Sequence, residues 1–203
     1  MTNPRAKRVY DLLFSGLGLV SLSLPFLLIA LVIKLTDRGP VFFRQQRVGQ
    51  FGRLFWIWKF RTMIVNAEKR GLSVTRGDDP RITGIGRILR QTKLDELPQL
   101  WNVLRGDMSL VGPRPEVPRY VARYTAEQRQ VLNAKPGITD LATLQFRHEE
   151  ELLRDAADVE AFYLEHCLPQ KIELNLRYLP RASLWQDTRI ILHTLFGSQN
   201  LGG

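Results

Sequence analysis

The chain has one cysteine in 203 residues. Cys167 has no partner within it, so an internal disulfide is excluded and a reducing compartment is the simpler setting. Histidine is nearly as scarce. His148, His166 and His193 show no ligand spacing, alone or with Cys167, which argues against a His/Cys metal site. No P-loop or Rossmann fingerprint occurs, and no repeat, heptad series or low-complexity linker is visible. Acidic residues are the minority charge, 20 Asp and Glu against 29 Lys and Arg, for a net charge of +9. With a pI near 10.1, that excess favours an anionic partner: nucleic acid, an anionic membrane leaflet or a phosphorylated substrate. Hydrophobic residues make up 44%, enough for a core, and the length suits one domain.

Charge is missing altogether from Leu12 to Ile33, a run of 22 residues. As a helix it is long enough to cross a bilayer core of about 30 Å. It exceeds the roughly 7–15 apolar residues of a secretory signal, and no small-residue cleavage site follows, so it reads as a retained membrane anchor. Ser21, Ser23 and Pro25 interrupt its middle. Proline lacks an N–H and clashes with the preceding turn, so it kinks or breaks a helix. The two serines are placed to bond carbonyls released there. Arg5, Lys7 and Arg8 precede the run, and Lys34 and Arg38 follow it. A straight span would put one basic cluster outside, whereas a hairpin that enters and turns back keeps both on the cytoplasmic side. The residues alone leave both topologies open.

Beyond the anchor the pattern is α+β and mostly helical. Val41–Arg44 and Leu54–Phe60 read as a small β-hairpin with Gly49 and Gly52 between them. Residues 64–80 are polar and read as a mobile loop. Helical pieces are expected over Ile85–Arg90 and from about Glu96 to Leu104, the second with Leu97, Leu100, Trp101 and Leu104 on one face. Tyr120–Leu132 reads as a helix with a break near Thr125, and "KPGITDLATLQFR" as a loop with a short extended piece. "EEELLRDAADVEAFYLEHCL" reads as helical. "SLWQDTRIILHTLF" is amphipathic, with Leu184, Thr188, Ile191, Leu192 and Leu195 on one face, suited to packing on the domain or lying in a membrane interface. The implied division is a membrane anchor, residues 1–38, and a second domain, residues 39–203, ending in that amphipathic helix.

Two short stretches carry chemistry. In "LDELPQL", Pro98 is tolerated only near a helix start. That sets Asp95 at or near an N-cap and Glu96 in the first turn, with the carboxylates about 100° apart. An ionised Asp95 there is a possible nucleophile, with Glu96 holding a divalent cation or handling a proton. A capping Asp followed by a dipole-compatible Glu is the plain structural alternative. In "GDMSLVGPRPE", two prolines stiffen a turn that presents Arg114, a side chain suited to bidentate phosphate contacts. A solvated arginine on a structural turn is the alternative there. Lys59, Arg61, Arg87 and Arg90 add cations upstream, with Lys59 and Arg61 alternating onto one strand face. An anchor, a carboxylate pair and surrounding cations together suit chemistry on a phosphate at a membrane surface.

At these residues the chain resembles the bacterial sugar transferases, the monotopic phosphoglycosyl transferases. "KRVYDLL" with its Ser/Pro-interrupted run, "GPVFFRQQRVG", "WKFRTM", "RILRQTKLDELPQLWNVLRGDMSLVGPRP" and "KPGIT" occur in the family's order over nearly the whole chain. The resemblance implies the minimal form of the family. It implies transfer of a sugar-1-phosphate from a UDP-sugar to a polyprenol phosphate, typically undecaprenyl phosphate, with release of UMP, at the cytoplasmic face of the bacterial inner membrane. The family's dyad falls on Asp95 and Glu96. Asp95 would attack the sugar-linked phosphate to form a covalent phosphoglycosyl intermediate in a ping-pong cycle. Glu96 would assist through Mg²⁺ or acceptor deprotonation, and both would be the metal ligands. Phosphate and nucleotide contacts map onto Arg90, Arg114 and Arg147, with Lys59 beside them. The anchor would be a re-entrant helix broken at Pro25, with Ser23 one residue removed from the family's adjacent Ser-Pro pair. A second departure is Asp140-Leu141-Ala142-Thr143 after "PGIT", where relatives carry a different loop. No nucleic acid partner is implied, and monomer and homodimer stay equally open. The rivals from other classes are a non-catalytic basic membrane adaptor and a metal-dependent lipid phosphatase.

Overall fold

The structure, a computed structural model, describes residues 3–67, 79–147, 149–153, 156 and 158–197. Most of the expected mobile loop, residues 68–78, lies outside the described residues, as does His148. Within them the chain is α+β, mostly helical, with two small sheets.

The apolar run forms two helices. Helix α1 spans Pro4–Ser21 and α2 spans Ser23–Asp37, bent by 59° across Leu22. The break lies three residues before Pro25. Proline's missing N–H falls in the first turn of α2, where it has no partner in any helix, and its ring crowds the carbonyl four residues back, Ser21. Ser21 Oγ bonds Gly18 O at 3.3 Å. Among the described residues no single helix is long and apolar enough to cross a membrane, though this bent pair passes that test together.

Strands β1 (Phe42–Val48) and β2 (Leu54–Phe60) pair antiparallel over seven residues each. The hairpin thus extends four residues beyond the Arg44 expected from sequence. Its turn places Phe51 and Gly52 at φ 56 and 77. Helix α3 spans Gly84–Gln91, capped by Thr83, whose hydroxyl accepts from Gly86 N–H. A one-turn 3₁₀ helix follows at Leu94–Glu96, and α4 covers Gln99–Arg105 with Pro98 at its N-cap. Helix α4 therefore begins three residues later than expected. Its buried face is also rotated from the expected one: Leu100, Asn102 and Val103 are buried while Trp101 is half exposed. The cause is Asn102, whose amide bonds Trp56 O and Trp58 N–H at 2.8 and 3.1 Å and docks α4 on β2.

A parallel pair, β3 (Ser109–Val111) with β4 (Gly137–Thr139), closes the second sheet; β3 was not expected. Between them, α5 (Pro118–Val121) is one turn and residues Gln128–Asn133 form a 3₁₀ segment. The expected break near Thr125 is present, in place of a continuous helix. Helix α6 (Leu141–Gln145) starts inside the expected loop, capped by Asp140. The next stretch is segmented into α7 (Glu149–Leu152), α8 (Val159–Phe162), a π turn at Tyr163–Cys167 and α9 (Leu168–Tyr178). Pro169 lies four residues after Glu165, so the ladder is interrupted within the π turn. Helix α10 (Leu184–Phe196) ends the described fold.

Three clusters of buried side chains organise these elements. Val48, Tyr120, Tyr163 and Ile172 belong to one, Ile57, Val103, Leu110 and Ile190 to the second, and Ile33, Phe60 and Leu89 to the third. Strand β2 feeds two of them, because Ile57 and Phe60 lie on opposite faces. Helix α1 is tied in by polar groups. Asp11, 2% exposed, accepts from Ser109 Oγ and Leu110 N–H at 3.1 Å each. Arg8 bonds the Val103 and Leu104 carbonyls at the end of α4, at 2.6 and 2.8 Å. Lys7 pairs with Asp11 and Asp187 at 3.1 and 2.9 Å. In α10 it is Asp187 and Ile190 that are buried, while Leu192 and Leu195 of the expected apolar face stand exposed, as does Phe196 after them.

Candidate functional site

Lys93 adopts a left-handed backbone at φ 59 and turns the chain out of α3 into the 3₁₀ turn that carries Asp95 and Glu96. Non-glycine residues in this region are costly and concentrate where a site demands them. The two carboxylates leave this turn into different surroundings. Asp95 is 7% exposed, and burial pushes its carboxyl up to about 6, against the opposing charge of Lys59. Glu96 is held from two sides. Lys59 Nζ on β2 lies 2.7 Å from Oε1. Arg114 grips the carboxylate with both terminal nitrogens, Nη1 at 3.1 Å from Oε2 and Nη2 against Oε1. Burial alone would raise Glu96, but Arg114 and Lys59 outweigh it and hold the carboxyl well below its usual range. Burial in turn pulls the Lys59 ammonium down, with Glu96 opposing. The pair is thus split into one carboxylate kept fully ionised and one poised near neutrality, the pattern by which environment separates the roles of two acids.

Arg114 is positioned through its backbone. The turn after β3 points its N–H at Asp140 Oδ2, 3.1 Å away. Asp140 is fully buried and also accepts from Thr143 N–H at 2.6 Å and Asn175 Nδ2 at 2.7 Å. The residue that departs from the expected loop pattern is therefore the N-cap of α6 and the clamp on the arginine turn. Its legible signal was an Asp three residues before Thr143 directly after an extended segment. Asn175 had no sequence signal of this kind.

A second buried group borders the first. Arg47 bonds Pro115 O at 3.1 Å and Glu116 Oε2 at 3.4 Å. Tyr163 donates a short hydrogen bond to Glu116 Oε1. Burial, reinforced by Glu116, raises the Tyr163 hydroxyl well above the usual tyrosine range. Lys171 pairs with Glu149 and lies over the rings of Phe146 and Tyr163, 5.4 and 5.0 Å from their centres. None of these residues stood out in the sequence, because strand Arg47 and helix Tyr163 carry no local motif.

One cavity of about 1370 Å³ joins these groups. Asp95, Glu96, Lys59, Arg61, Arg90, Arg114 and Arg147 all line it. Its volume exceeds the roughly 300–1,000 Å³ of a single small-ligand pocket, so two substrates have room. Arg61 is buried, and Arg147 lies at the end of α10, 3.5 Å from Thr194 O. Arg87 is exposed on α3 and is not among the residues lining the cavity. Ser23 and Pro25 lie at the start of α2 and do not line it either.

Among the described residues no group of three or more His, Cys, Asp or Glu side chains is placed to hold a metal alone. Both oxygens of Glu96 are taken by cations, whereas Asp95 makes no ion pair among the described residues. One carboxylate at the wall of a large cavity lined by cations fits the habit of Mg²⁺, which is bound through one or two carboxylates, waters and substrate phosphates.

Known proteins align with this whole frame. The galactosyl transferase CpsE of Streptococcus agalactiae is 37% identical over 94% of this chain and 41% of its own length. The UDP-glucose:undecaprenyl-phosphate glucose-1-phosphate transferase of Escherichia coli is 36% identical over 96% of this chain and 40% of its own length. The Caulobacter vibrioides protein of the same description is 40% identical over 93% of this chain and 68% of its own length. The chain spans about two fifths of the length of the first two. The family described as bacterial sugar transferase matches residues 2–199, a range that includes the bent helix pair, the carboxylate turn, the arginine turn and α10, and the chain belongs to that family.

Proposed function

We propose that the protein transfers a sugar-1-phosphate from a UDP-sugar to undecaprenyl phosphate or a similar polyprenol phosphate, releasing UMP. The observation that carries this is the division of labour in the carboxylate pair: a buried Asp95 that makes no ion pair among the described residues, next to a Glu96 that fixes Lys59 and Arg114 at one wall of a large cavity. Two cations held in place by a carboxylate form a preorganised receptor for a diphosphate, because their orientation is set before the substrate arrives. Asp95 attacks the sugar-bearing phosphorus, the bond to the UMP oxygen breaks, and a phosphoglycosyl-aspartate remains. The acceptor phosphate then attacks the same phosphorus and returns Asp95 as a carboxylate. Asp95 would hold a Mg²⁺ ion, which would supply neutralisation of the diphosphate charge. Arg90 and Arg147 are further phosphate contacts at the cavity wall.

The helix pair is proposed as a re-entrant anchor on the cytoplasmic face of the bacterial inner membrane. Both its ends are held by the same body, Arg8 on α4 at one end and Ile33 beside Phe60 and Leu89 at the other. Between them Leu13, Leu17, Val20, Leu24 and Leu27 are more than half exposed. A protein body holding both ends of an apolar segment supports a hairpin over a straight span. Cysteines introduced by Asn3→Cys and Thr36→Cys should both label from the cytoplasmic side only; labelling of either from outside refutes the topology.

The reaction is tested by incubating the protein with a panel of UDP-sugars and Mg²⁺ without acceptor. Expected is about one UMP per enzyme and an adduct that Asp95→Asn fails to form. A folded Asp95→Asn enzyme with full turnover sinks the mechanism. UMP release with no sugar in the panel sinks the reaction.

A further inference from the structure

Two helices unused by the chemistry above line one limb of the same cavity. Tyr10, Phe14 and Gly18 recur every fourth residue along α1 and so stack on one helix face, with Leu22 following at the break. Thr188, Ile191, Leu192 and Leu195 recur at three- and four-residue steps along α10 and do the same. The helices are clamped together at one end by Lys7–Asp187 and by the Tyr10–Thr188 hydroxyl pair, both at 2.9 Å. Leu100, Leu110 and Ile138 line the cavity with them. Gly18 allows α1 close to α4: a Cβ there would lie 3.1 Å from Leu100 Cδ1. Apart from the Lys7–Asp187 clamp, these side chains are all apolar or hydroxylic. At its polar end the cavity holds the Thr139–Thr194 hydroxyl pair, Arg147 and Arg114. At its outer edge Phe14, Leu192 and Leu195 are 47%, 47% and 66% exposed.

We propose that the limb between α1 and α10 is the binding groove for the head-proximal isoprene units of the polyprenyl phosphate acceptor. This rests on the acceptor class proposed above. The acceptor is an amphiphile whose phosphate must reach the adduct on Asp95 while the adjoining hydrocarbon stays out of water. An apolar limb continuous with the carboxylate cavity at one end and with exposed apolar side chains at the other meets both demands. A UDP-sugar has no apolar segment to place there. Thr188 to Leu195 covers about 10 Å of helix at 1.5 Å per residue, so the groove holds the first few isoprene units and leaves the rest of the chain to the lipid.

The test is transfer to polyprenyl phosphates of graded chain length, comparing the native protein with Ile191→Trp and Leu192→Trp. In the native protein, acceptor KM should fall as the first few isoprene units are added and then level off. A tryptophan in the groove should raise KM for the longer acceptors roughly tenfold, the loss expected from about two unburied methylenes, and flatten the dependence on length. A variant that is merely misfolded lowers turnover equally for all lengths, so photolabelling of the unsubstituted protein in lipid nanodiscs supplies a second reading. A polyprenyl phosphate with a diazirine near its phosphate should mark peptides from residues 10–22 and 188–195. Equal KM shifts at every length, no shift, or labels confined to other segments overturn the groove alone. A native protein that transfers to no polyprenyl phosphate refutes the acceptor class and the groove with it.

Discussion

Replacing Asp95 by Asn should make the protein inactive and more stable at once. Burial pushes this carboxyl from 3.8 up to about 6 in the fold. Between those values the unfolded chain has lost the proton and the folded chain has kept it. The unfolded state binds fewer protons, so stability falls as pH rises from about 4 to 6 and is flat above. The gap of about 2 units corresponds to about 3 kcal/mol at 1.36 kcal/mol per unit, and relaxation around the charge brings it to about 1–3 kcal/mol. Asparagine has the same shape without the charge, so Asp95→Asn should recover that amount at pH 7.5. For a chain of this size the melting temperature should rise by roughly 2–4 °C per kcal/mol. The assay is paired thermal and urea unfolding in nanodiscs with a chelator present, at pH 4 and pH 7.5. The two proteins should converge at pH 4. Adding Mg²⁺ at pH 7.5 should stabilise the native protein and leave the variant unchanged, because only the carboxylate binds the cation. An Asn variant less stable than the native protein by the same margin at both pH values would mean that the Asp95 charge is structurally paired, and the assignment of Asp95 as the poised group would be wrong.

Under the proposed mechanism UMP release in the first half-reaction should rise with pH through a single step and then level, since Asp95 would attack as the anion, and Mg²⁺ on that carboxylate should move the step below its metal-free position of about 6; stopped-flow rates between pH 4 and 8 at graded Mg²⁺ check this, and a profile that is flat at every Mg²⁺ concentration counts against it. Arg114→Lys should lower the rate of UMP release by roughly 100-fold while Glu96 stays ionised, because an ammonium cannot reproduce the two-nitrogen grip on that carboxylate; near-native turnover would show that charge without orientation suffices. Asp140→Ala removes the cap of α6 and strands the Arg114 N–H and one of the two Asn175 Nδ2 protons, the other keeping Lys171 O, so urea unfolding should show a loss of about 2–4 kcal/mol.

The sequence was most readable where one residue type does one local job. The apolar run with Pro25, the hairpin around Gly49–Gly52 and the Gly/Pro turn around Arg114 each depend on backbone chemistry within a few residues, and each is present. Reading failed where partners are distant in the chain. The burial of α4 was set by Asn102 reaching the backbone of β2, 44 and 46 residues away, and leucine spacing does not reveal that. The buried side of α10 was set by Asp187, a residue that an amphipathic pattern assigns to water. It goes inside because Lys7 and the Tyr178 hydroxyl meet it there. For the same reason the carboxylate pair was found by motif, whereas the opposite treatment of its two members was not. Which of Asp95 and Glu96 is neutralised depends on Lys59 and Arg114, 37 and 18 residues from Glu96.

The buried polar ties of α1 follow from the same physics. A helix with an apolar outer face is held at a fixed depth by lipid but in no fixed register, because hydrocarbon receives leucine as readily as a protein core does. Directional contacts must set the register. Asp11 supplies them by accepting from Ser109 and Leu110 of β3, and three residues after β3 the chain reaches Arg114. Asp140, one residue beyond the paired strand β4, takes the Arg114 N–H, and Asn175 on α9 takes Asp140. Asp11 and Asp140 are both essentially out of solvent, so each bond is made in a medium where leaving it unmade is costly. The position of the guanidinium on Glu96 is therefore coupled, through one short strand pair, to the position of the bent helix. Under the proposed reaction, which brings a water-soluble diphosphate and a lipid phosphate to one aspartate, that coupling keeps the arginine turn in step with the bent helix.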